Sequence, residues 1–270
     1  MRIQALQELA RGWKDDPDTL PFLSDLAGDA VHANVRVAAV RELARGWKDA
    51  VDTLTILKDS ARSDESEEVR RAATRELARG WKDDPDTLPI LKERTSSDET
   101  AYVRSAAVEE LARGWKDDPD TLPILKDGAR SDAGGALRGA ALRELARGCK
   151  DDPDTLPILK DRARSDKDEY VRYSALLALA QGWKDDAETL PIVKGRARSD
   201  ESKDVRRLEV SELARRWKDD PDTLPILKDR ARSDEDEDVR RVALWELARG
   251  WKNDPEVIAI LAAQPNPDSP

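Results

Sequence analysis

The feature that most constrains this chain is a tryptophan that recurs every 34 residues without insertion. The grid positions that hold this residue are Trp13, Trp47, Trp81, Trp115, Trp183, Trp217 and Trp251. Cys149 holds the one remaining position, and a lysine follows every grid position, from Lys14 to Lys252. A fixed period of this kind is typical of repeat architectures, in which each repeat packs only on its neighbours. The sequence therefore predicts a stack of eight near-identical repeats.

Each repeat contains two helical patterns joined by an acidic turn. In the third repeat, apolar periodicity predicts a first helix over residues 69–82, with Arg70 and Trp81 on its apolar face. A shorter helix is predicted over residues 87–96, after a turn that contains Pro85. Neither helix can bury its apolar face alone, so neighbouring repeats must stack. The predicted fold is all-α, an α-solenoid wound as a right-handed superhelix of about eight two-helix repeats.

Composition agrees with a thin, layered core. Charged residues make up 39% of the chain and aromatic residues only 4%. The net charge of −10 opposes general adhesion to nucleic acid or to anionic lipid. No apolar run approaches the roughly 18 residues of a membrane span, so we expect no membrane association. A single cysteine permits no internal disulfide, which fits a cytoplasmic location.

The run Asp64…Val69-Arg70-x-Ala72-Ala73 resembles the HEAT-repeat family, in a 34-residue variant that contains tryptophan. The W-x2-L-G-x2-Y pattern of tetratricopeptide repeats is absent. In HEAT repeats an aspartate and an arginine six residues apart link successive repeats through a buried hydrogen-bonded ladder. The resemblance implies such a ladder here, formed by Asp64 and Arg70, Asp98 and Arg104, Asp132 and Arg138, Asp166 and Arg172, Asp200 and Arg206, and Asp234 and Arg240. Independently, Arg70 needs a partner because an unpaired charge on an apolar face is costly.

The grid predicts a solenoid over residues 1–264 and a C-terminal tail over residues 265–270. Met1-Arg2 fills the grid position of Val35-Arg36, so the sequence starts inside a repeat. We therefore expect the C-terminal part of a larger protein. Similar solenoids form the C-terminal sensing arms of bacterial signal-transducing NTPases and defence proteins, and this analogy favours a bacterial origin.

The sequence offers little material for catalysis. The one histidine, His32, lies in a loop that departs from the repeat, and it cannot build a Ser-His-Asp or Cys-His arrangement alone. Cys149 replaces a core tryptophan, which favours a buried, inert thiol. A glycine-rich phosphate loop is absent. We therefore predict no enzyme activity, no catalytic residue and no cofactor.

The acidic turns suggest either helix capping or weak cation binding. Three carboxylates recur in each turn, for example Asp117, Asp118 and Asp120. Hard cations prefer clustered carboxylates, but the spacing of an EF-hand, with its distal glutamate, is missing. Capping and solubility account for two of the three acids, so we predict no metal site.

The most informative variation lies on the first helix, at the positions equivalent to 68, 71 and 75. These positions form one stripe opposite the core face, here called the variable stripe. Aromatic and arginine side chains on it are typical of interface hot spots, although solvent-facing positions also acquire such residues by chance. The predicted partner-binding residues are Tyr102, Tyr170, Tyr173, Leu177, Arg207, Arg241 and Trp245.

Three functions follow from this stripe. The resemblance places the first helix on the concave face, so we predict a scaffold or sensor module that binds a protein or peptide there. Nucleic-acid binding is the alternative, since Arg41, Arg75 and Arg143 add to a basic inner wall, while the acidic turns oppose it. A HEAT-like lyase would need an acid or nucleophile in the wall, and the sequence shows none.

The fourth and fifth repeats carry an irregular stretch. Four of the glycines outside the grid, Gly128, Gly134, Gly135 and Gly139, lie close to Cys149. Glycine inside a helix and the loss of a tryptophan both reduce stability. We predict that the solenoid opens first between about residues 128 and 150.

Overall fold

The computed structural model describes residues 2–131 and 134–263, and these ranges contain sixteen helices and no strand. The all-α repeat fold predicted from the grid is confirmed. The helices are α1 Arg2–Gly12, α2 Thr19–Asp29, α3 Ala33–Gly46, α4 Val51–Ser63, α5 Glu67–Gly80, α6 Thr87–Ser97, α7 Ala101–Gly114, α8 Thr121–Arg130, α9 Gly135–Gly148, α10 Thr155–Ser165, α11 Glu169–Gly182, α12 Thr189–Ser199, α13 Lys203–Arg216, α14 Thr223–Ser233, α15 Glu237–Gly250 and α16 Pro255–Ala262.

The chain divides into two compact units, Met1–Gly148 and Cys149–Pro270. In the first unit the odd-numbered helices α1 to α9 stack side by side, and α2, α4 and α6 form a second layer. The second unit repeats this arrangement, with α11, α13 and α15 in one layer and α10, α12, α14 and α16 in the other. Each even-numbered helix from α2 to α14 packs most extensively on the helix that follows it. The structural repeat is therefore a short helix together with the next long helix.

The long helices end one residue before the grid tryptophan. Helix α5 stops at Gly80, because Trp81 has the non-helical dihedral angles φ −129° and ψ 45°. The Trp81 amide still donates to the Leu77 carbonyl at 2.9 Å and closes the last turn. The expectation that the first helix runs to Lys82 is therefore wrong. The tryptophan begins the turn instead. In some repeats its carbonyl accepts from a threonine side chain, as Trp115 does from Thr121 Oγ1 and Trp217 does from Thr223 Oγ1, both at 2.7 Å.

Small side chains let the long helices approach one another. One grid position in each long helix faces the core, and alanine occupies it fully buried at Ala39, Ala73, Ala107, Ala141, Ala175 and Ala243. Leucines one turn further on, such as Leu77 and Leu179, complete the buried layer. This alternation of small and large apolar residues explains how so thin a core excludes water.

The arginine that begins each long helix joins three successive elements. Arg70 Nη1 donates to the main-chain carbonyl of Asp64 at 2.7 Å, at the C-terminal end of α4. Its other edge binds the Asp98 carboxylate, with Nε to Oδ2 at 2.8 Å and Nη2 to Oδ1 at 3.1 Å. The same two-edged pattern occurs at Arg36, Arg172 and Arg206.

The contact within each predicted aspartate–arginine pair that the structure describes therefore differs from the expectation, because the aspartate binds the arginine through its main-chain carbonyl and not through its carboxylate. Asp64 lies six residues before Arg70 and contributes its carbonyl, one of the acceptors left open at a helix end. The carboxylate comes from the next turn, 28 residues after the arginine. Arg104 and Arg240 also donate to the carbonyls of Asp98 and Asp234, and Arg138 donates to the Ser131 carbonyl. Asp132 lies outside the described residues, as does the predicted tail over residues 265–270.

Candidate functional site

Helix α11 carries a cluster of apolar side chains on the variable stripe of the second compact unit. Tyr170, Tyr173 and Leu177 are spaced three and four residues apart, so they follow one another along one face of the helix. Tyr170 is 45% exposed, and Tyr173 and Leu177 are half-buried. We call these three residues, with the adjacent Ala178, the α11 patch.

The α11 patch coincides with the loss of a charged pair. Every other long helix carries a glutamate followed three residues later by an arginine, but α11 has Ala178 and Gln181 at these positions. The pairs elsewhere are Glu8/Arg11, Glu42/Arg45, Glu76/Arg79, Glu110/Arg113, Glu144/Arg147, Glu212/Arg215 and Glu246/Arg249. The face of α11 is therefore neutral where the equivalent faces are charged.

Where the charged pair is present, it links neighbouring helices. Arg79 Nη2 donates to Glu110 Oε1 at 2.8 Å. Glu110 is buried, as are its equivalents Glu42, Glu144, Glu212 and Glu246. Burial raises the pKa of Glu144 above its usual value, although Arg147 and Arg113 favour the ionised form. These glutamates neutralise the repeated arginines, so the stripe is much less basic than its arginine content suggests.

The additional arginines of the stripe are paired in the same way. Arg75 and Arg143 both reach the Glu109 carboxylate, each through Nη2 at 3.3 Å. In the second unit, Arg207 Nη2 lies 2.9 Å from Asp204 Oδ1. Arg241 forms the equivalent contact with Asp238. Both pairs are exposed, and such pairs are individually weak.

Trp245 and Tyr102 are the other aromatic residues of the stripe. Trp245 lies on α15 and is 54% exposed, with the Arg249 guanidinium over its ring at 4.8 Å from the centroid. Tyr102 lies on α7 in the first compact unit and is 57% exposed. Large aromatic side chains that remain in solvent are unusual in a chain with so few aromatics, which makes these positions candidates for contact with a partner.

A sequence profile of HEAT repeats matches six overlapping segments that together span residues 1–268. The chain belongs to the HEAT-repeat family. The six matches cover residues 1–78, 54–146, 88–180, 135–214, 156–248 and 190–268. No curated protein matches the sequence.

A solved structure shares the fold of this HEAT-repeat protein. The X-ray structure of YibA from Escherichia coli superposes with a TM-score of 0.62 and 19% sequence identity. The alignment covers 96% of this chain and 97% of YibA. At this identity the similarity extends to the fold alone.

The acidic turns between the helices of each HEAT repeat bind lysine. Lys58 Nζ lies 2.8 Å from both Asp84 Oδ1 and Asp86 Oδ2. Lys92, Lys160, Lys194 and Lys228 form the same pairs with the next turns. Asp86 makes no side-chain capping hydrogen bond to α6, but Asp254 accepts the Val257 main-chain N–H and caps α16. The expectation that these acids cap the short helices is therefore confirmed at α16 and wrong at α2, α6, α8, α10 and α14. Two of the three carboxylates instead join one repeat to the next.

The repeated tryptophans have a similar linking role. Lys48 Nζ lies 6.0 Å from the centroid of the Trp81 ring, and Lys82 lies 5.7 Å from that of Trp115. Lys150 over Trp183 and Lys218 over Trp251 repeat the contact in the second unit. A cation over an indole ring is favourable, and this accounts for the lysine and tryptophan grid without a ligand.

Sequence reasoning missed one unusual residue, Glu209 of α13. It occupies the grid position that is alanine elsewhere, it is fully buried, and both carboxylate oxygens lack a hydrogen-bond partner. Burial raises the pKa of Glu209 well above its usual value, and the nearby charges of Glu212 and Asp200 act in the same direction. A position-by-position comparison of the repeats would have identified it, because no other repeat places a charged residue there.

The remaining candidates show no catalytic arrangement. His32 precedes α3 and lines an open cavity with Arg41 and Arg45. Across residues 2–131 and 134–263, no three histidine, cysteine or acidic side chains are grouped as a metal site would require. Over the same ranges, no helix has both the length and the apolar character of a membrane span.

Proposed function

We propose that this HEAT-repeat protein is a protein-binding scaffold, and that a partner segment docks on the long-helix face of the second compact unit. The observation that carries the proposal is the α11 patch. One helix of the series has lost its glutamate–arginine pair and carries Tyr170, Tyr173 and Leu177 on the same face. Simple drift at solvent positions does not explain why the charges disappear where the apolar residues accumulate.

The partner that fits this face is a peptide segment with apolar side chains at its centre. Tyrosine offers a large apolar surface and a hydroxyl that can bond to a main chain, which is why it is common at interface hot spots. The α13 side chains beside the patch have both signs, Asp204 and Arg207. A segment with mixed charges on either side of its apolar centre would complement them.

Nucleic acid fits the long-helix face of either compact unit poorly. Phosphates bind arginines whose charge is available, and binding strength follows the number of phosphates neutralised. Arg75 and Arg143 share Glu109, while Arg207 and Arg241 are paired with aspartates. A phosphate backbone would have to displace these carboxylates from a chain that already carries a net charge of −10.

The proposal is tested by photo-crosslinking followed by binding measurements. A photoreactive phenylalanine analogue placed at Tyr173 would label the docked segment, which is then synthesised as a peptide for calorimetry with the full chain. We expect Tyr170→Ala with Tyr173→Ala to weaken binding at least about tenfold, the range of a hot-spot truncation. The melting temperature should change little, because Tyr170 is exposed and Tyr173 half-buried.

Helix α5 offers a matched control. Glu68 and Arg71 occupy the grid positions of Tyr170 and Tyr173, so replacing both with alanine changes the same positions in another repeat. This control should leave peptide binding unaltered. Equal loss of binding in both variants would refute docking at the α11 patch. Tight binding of short DNA with a steep salt dependence would favour the nucleic-acid alternative instead.

A further inference from the structure

The helix pairs α5–α6 and α7–α8 meet in an apolar cluster to which both pairs contribute. Leu91 of α6 is fully buried together with Ala107 and Leu111 of the following long helix. Three half-buried residues pack against them, namely Leu88, Trp115 and Ile124. The earlier pair thus supplies two aliphatic side chains of its short helix, and the later pair supplies the surface that they cover.

Two cationic side chains cross the same junction in the same direction. Arg79 Nη2 donates to Glu110 Oε1 at 2.8 Å. Lys82 Nζ lies 5.7 Å from the centroid of the Trp115 ring. In both contacts the cation belongs to the earlier helix pair, and the carboxylate or the ring belongs to the later pair. The two sides of a junction are therefore different and complementary.

Helices α15 and α16 carry the earlier side of such a junction. The residues five repeats after those of α5–α6 are Arg249, Lys252, Ile258 and Leu261, here called the α15–α16 surface. Ile258 is 52% exposed, and Leu261 is half-buried although its equivalent Leu91 is fully buried. The described residues place no long helix after α16, so this short helix lacks the partner on which the other short helices pack.

Helices α1 and α2 carry the later side of a junction. The residues three repeats before those of α7–α8 are Ala5, Glu8, Leu9, Trp13 and Phe22, here called the α1–α2 surface. Trp13 is 60% exposed and Phe22 is 47% exposed. Ala5 is exposed and Leu9 is half-buried, whereas the equivalent residues of α7 are fully buried. Ala5, Leu9 and Phe22 line an open apolar cavity of about 600 Å³.

We propose that the α15–α16 surface of one copy binds the α1–α2 surface of a second copy of this chain. Leu261 would join the second copy's Ala5 and Leu9 in the arrangement that Leu91 has beside α7. Ile258 would pack with the second copy's Trp13 and Phe22, so the large exposed apolar side chains of both surfaces would leave water together. Helix α16 of one copy and α1 of the next would then form the short-helix and long-helix unit that recurs within the chain.

The charged residues of the two surfaces are in the same register as the apolar ones. Lys252 is exposed and is the equivalent of the lysine over Trp115, so it would lie over the second copy's Trp13. Arg249 would reach the second copy's Glu8, which is exposed whereas its equivalent in α7 is buried. An unrelated partner would have to match the apolar cluster, the ring contact and the ion pair at once. A second copy matches all three through the repeat period alone.

One contact of an internal junction has no counterpart between copies. Lys92 of α6 binds two acids of the next turn, Asp118 and Asp120, each at 2.7 Å. Ala262 holds the lysine position in α16, so the equivalent acids of the α1–α2 turn would gain no lysine from a second copy. The junction between copies should therefore be weaker than a junction within the chain, and association should be reversible.

The two surfaces differ, so the association is heterologous. A copy bound through its α15–α16 surface keeps its own α1–α2 surface available for another copy. Such contacts generate rings or open chains of copies rather than dimers alone. The association uses no residue of the α11 patch, so it is independent of the peptide docking proposed above.

The test is sedimentation equilibrium of the full chain over a series of concentrations. We expect the average mass to rise with concentration. Trp13→Glu and Ile258→Glu should each raise the apparent dissociation constant at least about tenfold, because either change places a charge within the apolar cluster. Both side chains are more than half exposed, so the helix content should not change. Val51→Glu is the matched control, since Val51 is exposed but lies on α4, outside both surfaces.

Mixing the two variants tests the pairing of the surfaces. Trp13→Glu keeps an intact α15–α16 surface and Ile258→Glu keeps an intact α1–α2 surface, so an equimolar mixture should form dimers and nothing larger. An average mass of the unaltered chain that is independent of concentration would overturn the proposal. So would a mixture that stays monomeric, or a variant that associates as strongly as the unaltered chain. If Trp13→Glu loses helix content, Glu8→Arg replaces it, because it alters the same surface at another exposed residue.

Discussion

Arg172 binds Asp200 through one edge of its guanidinium group, with Nε to Oδ2 at 2.9 Å and Nη2 to Oδ1 at 2.7 Å. Both side chains are almost completely buried. Asp200 also accepts the main-chain N–H of Ser202 at 2.9 Å. This pair sets the register between two successive repeats, because a lateral shift of either helix would leave two charges in the core without partners.

Replacing Arg172 with alanine should therefore be strongly destabilising. Removing one member of a buried pair typically costs about 3–5 kcal/mol, because the other charge stays buried. Chemical unfolding of the full chain, monitored within the second compact unit, measures this loss. Arg207→Ala is the control, since its exposed pair with Asp204 should be worth at most about 1 kcal/mol. Equal losses in the two variants would contradict the ladder's structural role.

The ladder also predicts a loss of stability in acid. Burial opposes ionisation of Asp98, Asp200 and Asp234, but hydrogen bonds from arginine and main-chain N–H groups outweigh it and lower the pKa of each. A lowered pKa in the folded state contributes stability that is present above the unfolded pKa of about 4. That stability is lost as the pH falls from there through the folded pKa.

Thermal unfolding measured at a series of pH values from about 5 down to about 2 checks this prediction. The unaltered chain should lose more stability over this range than Asp200→Asn, which cannot titrate at that position. The variant starts from a lower melting temperature, so the comparison concerns the slope with pH. Parallel slopes would show that Asp200 contributes nothing to acid sensitivity.

The sequence predicted the fold well and the pairing within the ladder less well. Insertion-free tryptophan spacing and the apolar periodicity around Arg70 were enough for the helix number and the stacking. The carboxylate partner was ambiguous, because in a 34-residue period an aspartate six residues before one arginine is also 28 residues after another. Only the packing of α5 beside α7 shows that Arg70 reaches forward to Asp98.

The lysine contacts were hidden for a related reason. Lys58 and Asp84 are 26 residues apart, beyond any spacing that a single helix relates. The turn acids were therefore interpreted as caps, and the grid tryptophans as buried core residues. In the structure Trp81 and Trp115 are half-buried, since each offers one ring face to a lysine of the preceding repeat.

Glu209 predicts a dependence of stability on pH that is opposite in sign to that of the ladder aspartates. Burial, with Glu212 and Asp200, raises the pKa of its carboxyl group well above the ordinary value. An acid with a raised folded pKa stabilises most below its unfolded pKa of about 4.3, and this contribution falls as the pH rises toward the folded pKa. Glu209→Gln should therefore become more stable relative to the unaltered chain as the pH rises from about 4, near the ordinary pKa of a glutamate, to about 8.

Glu209→Ala separates titration from polarity. Alanine is the residue at this position in the equivalent repeats, so it removes the unpaired oxygens as well as the charge. It should exceed the stability of Glu209→Gln by about 1–3 kcal/mol, the cost of an unsatisfied buried polar group. Melting curves at several pH values measure both effects. The opposite result would be a Glu209→Ala variant that is less stable than the unaltered chain at about pH 8, well above the ordinary carboxyl pKa. It would show that the carboxyl group stabilises the folded chain.

The stretch from Gly128 to Cys149 is predicted to be the first part of the solenoid to open. Gly139 lies inside α9, where glycine costs up to about 1 kcal/mol relative to alanine. Gly128 packs so closely that a methyl group there would lie 3.3 Å from the Ala141 side chain. Because most of the equivalent tryptophans, such as Trp115 and Trp183, are half-buried, the change to Cys149 should cost less than loss of a fully buried ring.

Native-state hydrogen exchange compares α9 directly with its equivalent α7. The amides of residues 136–148 should exchange faster than those of residues 102–114, because stability in a stacked repeat protein is the sum of local terms. Gly139→Ala should slow exchange in α9 by restoring helix propensity, and Cys149→Trp should raise the melting temperature by restoring the grid residue. A matched change at Gly114, which ends α7, should not alter exchange in α9. Equal protection in α7 and α9, together with no gain in Cys149→Trp, would show that neighbouring side chains compensate for the irregular sequence.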